Sequence, residues 1–310
     1  MIDPNVITIG LCTYHRQEVT DTLDSLSKIA IPDGKQIQIV IADNSVEANS
    51  KALIEDYAAQ SPLAIHYLHA PASNISIARN ACLEWALDHS QYLIFLDDDE
   101  FVVENWLSAH LDTAQREQAD VVIGPVLGIY PEQAPEWVKA LDLQSVKEPI
   151  IAPSGKIETA NSGNTLINLN FIRQHPLRFD LEYGRSGGED SIFFRQLTMQ
   201  GGTIAFSEQA EASEHVPLAR TEYDWLYQRR FRCGQTHGKM LLLDNPSPFN
   251  RLKQILLAGA KAGFSYIYAL RFINQETSQK YFWKLRVALH LGVVSGLFGK
   301  QHLTQYGDTH

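Results

Sequence analysis

Strand and helix signals alternate through the first hundred residues of this 310-residue chain, and that alternation limits the fold more than any other feature. Residues 6–13 read as a strand, and residues 18–29 as an amphipathic helix with Val19, Leu23 and Leu26 on one face. Further strands are expected at 38–42, 65–68 and 92–96, separated by helices at 50–60 and 76–89. Strand–helix–strand repetition with short connections predicts a parallel sheet with right-handed crossovers. Pro32-Asp33-Gly34 and Pro71-Ala72-Ser73-Asn74 supply the turn chemistry between units.

Beyond this block, residues 106–118 read as a helix and 119–126 as a strand. Residues 128–160 are proline-marked and irregular. Strand character returns at 166–168 and 203–206, and a helix at 190–200 ends at Gly201-Gly202. Residues 221–240 read as a long helix studded with arginine. No internal repeat or low-complexity stretch is visible.

The strand at 92–96 runs straight into Asp97-Asp98-Asp99. Carboxylates at the end of a buried strand are costly unless another charge offsets them. The C-terminal edge of an open α/β sheet is where ligands sit. Clustered carboxylate oxygens suit a hard divalent cation that also holds a substrate's phosphates. A solvated acidic turn or a helix cap explains the triplet equally well when it is taken alone.

Three other βα units end in polar groups: Cys12-Thr13-Tyr14-His15-Arg16, Asp43-Asn44-Ser45, and Asn74 with Arg79-Asn80. All four sets belong to one sheet edge, so they converge on one crevice. An arginine near that edge can clamp a phosphate, although a surface salt bridge is the plain alternative for Arg79. Asp43 is either a ligand contact or a turn residue. Further on, Gly184 to Asp190 holds three glycines ahead of Glu189-Asp190 at a helix start. Those carboxylates are either caps or a general base at a cleft edge. His215 is a metal ligand or an ordinary loop histidine.

The net charge is −10, but it is unevenly spread. Residues 246–310 carry eight Lys/Arg against two acids, a surplus of +6 that leaves −16 on the rest. An acidic body argues against nucleic acid as a partner. Cys12, Cys82 and Cys233 lack metal spacing and fit a reducing compartment, with Cys12 and Cys82 as buried thiols. The first residues show no basic region followed by an apolar stretch, so a cytoplasmic protein is expected.

Taken in order, these pieces resemble the family 2 glycosyltransferases of the GT-A fold, and more narrowly bacterial transferases that build exopolysaccharides of the succinoglycan type. The matching stretches are 7–16, 39–45, 74–80, 95–100 with Trp106-Leu107, Gly163-Asn164, 187–190 and 214–234. The resemblance implies a Rossmann-like, mostly parallel sheet flanked by helices over residues 1–240, with a helical extension over 241–310. It implies an inverting transfer from a nucleotide-diphospho-sugar, UDP by default, to a glycan or lipid-linked acceptor. Thr13, Tyr14, Arg16, Asp43, Asn74, Arg79, Asp97, Asp98, Gly163 and Gly188 would then contact substrate. Asp99, Asp97 and His215 would hold Mg²⁺ or Mn²⁺, and Asp190 would be the base with Glu189 beside it.

The tail has two apolar stretches, 255–270 interrupted by Lys261, and the uncharged 287–299. Neither reaches the roughly 20 residues a spanning helix needs. A basic, apolar helix pair can lie on the inner face of an anionic membrane, or it can pack on the core or on a second subunit. Two other classes fit part of the pattern. A nucleotidyltransferase also joins an α/β sheet to carboxylates, but it calls for a Gly- and Lys/Arg-rich loop after the first strand. A non-catalytic scaffold in envelope assembly is the third reading.

Overall fold

The computed structural model describes residues 3–299. The first half follows the expected alternation: β1 (Val6–Thr13), α1 (Val19–Leu26), β2 (Gln36–Asp43), α2 (Lys51–Ala58), β3 (Ala64–His69), α3 (Ile75–His89) and β4 (Tyr92–Asp97). A short β5 (Glu100–Val102) comes next, then α4 (Trp106–Glu117), β6 (Val121–Ile123), β7 (Val126–Ile129) and α5 (Glu136–Leu141). They are followed by β8 (Thr165–Asn168), α6 (Leu169–Gln174), α7 (Glu189–Met199), β9 (Ile204–Phe206) and β10 (Ala212–His215). Three long helices end the described chain: α8 (Tyr223–Asp244), α9 (Pro248–Arg271) and α10 (Ser278–Leu297).

Seven strands form the main sheet in the order β3-β2-β1-β4-β8-β6-β9. β3, β2, β1 and β4 run parallel, and β8 is antiparallel to both β4 and β6. The chain winds outward from β1 to β3 and then returns to place β4 on the other side of β1. That reversal opens a crevice at the carboxyl ends of β1 and β4.

Burial on both faces explains why the strands read as continuous apolar runs. Ile39 and Ile41 of β2, with Ile94 and Leu96 of β4, face a core shared with α1 and α4. Their neighbours Val40, Ala42, Leu93 and Phe95 face a second core, shared with α3 and α7. Strand alternation thus divides one apolar run between two cores.

The expected strand at 119–126 is in fact two strands in different sheets, β6 in the main sheet and β7 in a three-stranded sheet ordered β5-β10-β7. Gly124-Pro125 breaks it. A Cβ at Gly124 would lie 2.0 Å from the Ala210 carbonyl oxygen, and Pro125 offers no N–H to a ladder. Sequence patterning misses β5 and β10 because Glu100 and Glu214 are acidic where a strand is normally apolar. The irregular region also holds α5, and the helix α6 follows β8 directly.

α8 and α10 meet backbone to backbone. A Cβ at Gly234, Gly292 or Gly296 would come within about 2 Å of a carbonyl oxygen of the facing helix. Most of the second apolar stretch of the tail is therefore buried, with Val293 and Leu297 packed between α8 and α9, while Leu291 and Phe298 stay exposed. The division expected at 240/241 falls within α8. Gly292→Val forces these helices apart and is expected to lower stability by about 1–3 kcal/mol. A fall in urea midpoint at unchanged slope checks this, whereas an unchanged midpoint shows that the contact contributes nothing.

Candidate active site

Seven carboxylates form one electrostatically linked group at the crevice: Asp97, Asp98, Asp99, Glu100, Glu189, Asp190 and Glu214. Arginines from three separate segments answer them. Arg16, just past β1, pairs with Asp98 at 2.9 Å and also with Asp99. Arg220, in a 3₁₀ turn before α8, lies 3.8 Å from Asp99 and 3.5 Å from Glu214. Arg79, on the first turns of α3, pairs with Glu189 and lies 3.8 Å from Asp97.

Burial raises several of these acids, since water no longer stabilises their charge. Asp98 is pushed up to about 7 by burial, against the pull of Arg16. Glu189, only 2% exposed, is likewise pushed up to about 7 by burial, against the pull of Arg79. Its Oε2 is buried and has no hydrogen-bond partner among the described residues. Glu100 is raised by burial and by neighbouring Asp97, and its Oε2 accepts the Asp97 amide at 3.1 Å.

Asp190 begins α7 beside Glu189 and is part-exposed, with Oδ1 accepting the Ser191 amide at 2.6 Å. Gly188 caps this helix at φ +92, where a Cβ would strike the Thr236 hydroxyl at 2.3 Å. Gly163 closes the opposite wall, and a Cβ there would lie 2.7 Å from Glu100 Oε1 and 3.1 Å from Asp97 Oδ2. The acidic edge thus has backbone against it where any other residue would place carbon.

The N-terminal half of α3 holds the approach to α7 in place. Asn74 caps α3 by accepting from the Ser76 amide, and its Nδ2 donates to the Leu181 carbonyl at 3.0 Å. Ser76 donates to the Asp180 carbonyl at 2.8 Å. Asn80 makes a two-way clamp with Phe179, donating to its carbonyl and accepting from its amide, each at 2.8 Å. The loop leading to Glu189-Asp190 is therefore fixed to the helix that carries Arg79.

Asp43, fully buried at the end of β2, accepts from the Ser45 amide and hydroxyl, the Ser50 amide and the Tyr67 hydroxyl. It organises residues 44–50. Thr13 is buried at the end of β1, and Tyr14 stands beside His15, whose φ of 54 turns the chain out of the strand. His215 is exposed and lies against Phe101, 5.3 Å between ring centres. Its neighbour Glu214 points to the carboxylate group instead. Among the described residues, no three His, Cys, Asp or Glu side chains form a ready metal cage.

Sequence reasoning missed Glu100, Glu214 and the part played by Asn164. Asn164 Oδ1 accepts from Trp106 Nε1 at 2.6 Å and His110 Nε2 at 2.9 Å, while its Nδ2 donates to the Pro125 and Ala210 carbonyls. Burial lowers His110 to about 4, so the ring is neutral. This buried hub ties α4 and the Gly124-Pro125 break to the strand start behind Gly163. The signal was an Asn beside the matched glycine. The cysteines are all free, and Cys12 is half-buried rather than fully buried.

The sequence profile of glycosyl transferase family 2 matches residues 8–174. The succinoglycan biosynthesis protein ExoM of Rhizobium meliloti (strain 1021) is 42% identical over 97% of this chain and 96% of its own length. A glucosyl-dolichyl phosphate glucuronosyltransferase of Haloferax volcanii is 22% identical over 76% of this chain and 78% of its own length. The S. aureus TarS 1-349 structure in complex with UDP-GlcNAc superposes with a TM-score of 0.55 at 14% identity, covering 91% of this chain and 90% of TarS 1-349. GalNAc-T7 with UDP, GalNAc and Mn²⁺ gives 0.56 at 14% identity, covering 76% of this chain and 51% of GalNAc-T7. The architecture is the GT-A fold. The chain belongs to glycosyl transferase family 2, and it is a glycosyltransferase.

Proposed function

We propose that this chain is an inverting, metal-dependent glycosyltransferase of exopolysaccharide synthesis. It moves a sugar from a nucleoside-diphospho-sugar, UDP by default, to a hydroxyl of a glycan or lipid-linked acceptor. The observation that carries this reading is Arg79, which links the Asp97 end of β4 to the Glu189-Asp190 start of α7. A diphosphate bound at Arg79 and the Asp97–Asp99 edge lies next to the acid that receives the acceptor's proton. The similarity to ExoM supports the polysaccharide context, and the UDP in the TarS and GalNAc-T7 structures supports the default nucleotide.

The residues present fit a divalent cation. Carboxylates outnumber the arginines paired with them, and the Asp97 side chain is itself about half exposed. Mg²⁺ is commonly held by one or two carboxylates plus substrate phosphates, so a complete protein cage is not required. Asp99 and Asp97 would hold Mg²⁺ or Mn²⁺, and His215 could join them only by turning away from Phe101. Such a cation would supply charge stabilisation for the departing diphosphate.

Asp190 takes the proton from the acceptor hydroxyl, whose oxygen attacks the anomeric carbon opposite the leaving nucleoside diphosphate. Arg79 and Arg16 stabilise the charge that develops on the phosphates. Glu189 positions Arg79. Thr13, Tyr14 and Asn74 border the nucleotide, Asp43 shapes the base pocket through residues 44–50, and Gly163 and Gly188 let backbone pack tightly against Glu100 and Thr236 at the edges of the site.

A panel of nucleotide sugars with Mn²⁺ or Mg²⁺ tests the reading. Metal-dependent release of nucleoside diphosphate from one donor is expected, and Asp99→Ala abolishes it. Asp190→Asn is expected to slow transfer to acceptor by about a hundredfold to ten-thousandfold while sparing donor hydrolysis. Turnover of no donor, together with no metal-dependent binding of nucleoside diphosphate by calorimetry, overturns the reading.

The raised acids make a second prediction. Asp98 and Glu189 titrate near 7 in the folded chain, above their ordinary carboxylate range, because of burial. Their protonation therefore favours the folded state. That contribution is full below the ordinary carboxylate range and is lost as pH rises through about 7. The melting temperature of the metal-free protein is expected to fall between about pH 5 and about pH 8. Glu189→Gln flattens the slope, and an equal slope in both proteins rules Glu189 out as its source.

A further inference from the structure

We propose that the outer face of α9 is a docking surface that seats the protein on an anionic lipid surface. Of the two apolar tail stretches, the one in α9 presents the broad exposed face, because the second packs Val293 and Leu297 between α8 and α9 and leaves only Leu291 and Phe298 exposed among its large apolar side chains. Ala258, Ala262, Ser265 and Ala269 are the buried residues of α9, so this helix turns its small side chains inward. Its large ones point out. Phe249 is 79% exposed and Ile267 67%, and Leu252, Leu256, Phe264 and Leu270 are exposed beside them. At 3.6 residues per turn, these six fall within about a third of the helix circumference. A contiguous apolar face of this kind marks an interaction surface.

Charge identifies the occupant. No Asp or Glu occurs between Asn245 and Gln275, yet Lys253 and Arg271 lie within the apolar arc and Lys261 lies at its flank. The body of the protein is strongly acidic, so this is a local reversal of sign. A second copy fits poorly. Antiparallel pairing of two such faces sets Lys253 against Arg271, and parallel pairing sets each cation near its twin, with no acid on the helix to answer either. An anionic bilayer offers acyl chain to the apolar arc and headgroup phosphate to the lysines and arginine. Among the described residues no helix is long and apolar enough to cross a membrane, so α9 lies along the surface. Gly259 and Gly263 have open space where a Cβ would go, which lets the outer face approach the lipid closely.

This inference goes beyond the glycosyl-transfer reading and does not depend on it. The test is flotation of the full chain with phosphatidylcholine vesicles containing about one-third phosphatidylglycerol, and with phosphatidylcholine alone. Wild type is expected to float with the anionic vesicles, and Leu256→Glu with Ile267→Glu to reduce the bound fraction by about tenfold or more. Lys253→Gln with Arg271→Gln is expected to reduce binding to anionic vesicles only. All three proteins should show the same circular dichroism and the same donor hydrolysis, which separates this test from that of the activity. Absent flotation of wild type, or equal flotation of the Leu256/Ile267 double variant, overturns the proposal. So does a wild-type dimer in sedimentation that the same double variant converts to monomer, since the face then belongs to a second copy.

Discussion

The crowding of like charge at one sheet edge is the constraint on which the rest of the site depends. Carboxylates this close repel, and several have lost their water. They stay together because Arg16, Arg79 and Arg220 approach from three directions. Each arginine comes from a different part of the chain: the loop after the first strand, a helix of the parallel unit, and the turn before the long C-terminal helices. The edge therefore exists only in the folded chain. Its acids remain short of full compensation, and that residual demand for positive charge is what motivates the proposed cation.

Sequence legibility follows from the physics of each element. β1, β2 and β4 were readable because both faces are buried, so their apolar runs stand out against the turns, and the half-buried edge strand β3 was readable from its place in the alternation. The GT-A resemblance rested on polar residues at strand ends, and of these Arg16, Arg79 and Asp97–Asp99 are linked by ion pairs at one crevice. β5 and β10 were not readable, because they are three and four residues long and pair acid with acid at Glu100 and Glu214. In isolation those residues look like loop. Near the paired arginine and the neighbouring carboxylates they become part of the site.

Two residues show where sequence alone runs out. Glu214 and His215 are neighbours on β10, and a strand sends neighbours to opposite faces. The residue types left the histidine as a metal ligand or a loop residue, and the family resemblance placed it on the metal. The structure turns Glu214 toward the carboxylates and Arg220, and leaves His215 against Phe101. Asp43 shows the reverse case. It was legible as a polar strand end, but only its four hydrogen bonds reveal that it holds the following loop in shape.

The stitching of α3 to residues 179–181 has a mechanical consequence. With Asn80 clamped to Phe179 on both backbone groups, and Ser76 and Asn74 bonded to the next two carbonyls, the helix and the strap act as one lever. One end of that lever carries Arg79 and the other leads into Glu189-Asp190. On the reading proposed above, a phosphate held at the Arg79 guanidinium would bear on the same rigid unit that leads into Glu189-Asp190. Donor binding and acceptor alignment would then be coupled through hydrogen bonds of Ser76 and Asn80 that lie outside the proposed contacts with either molecule.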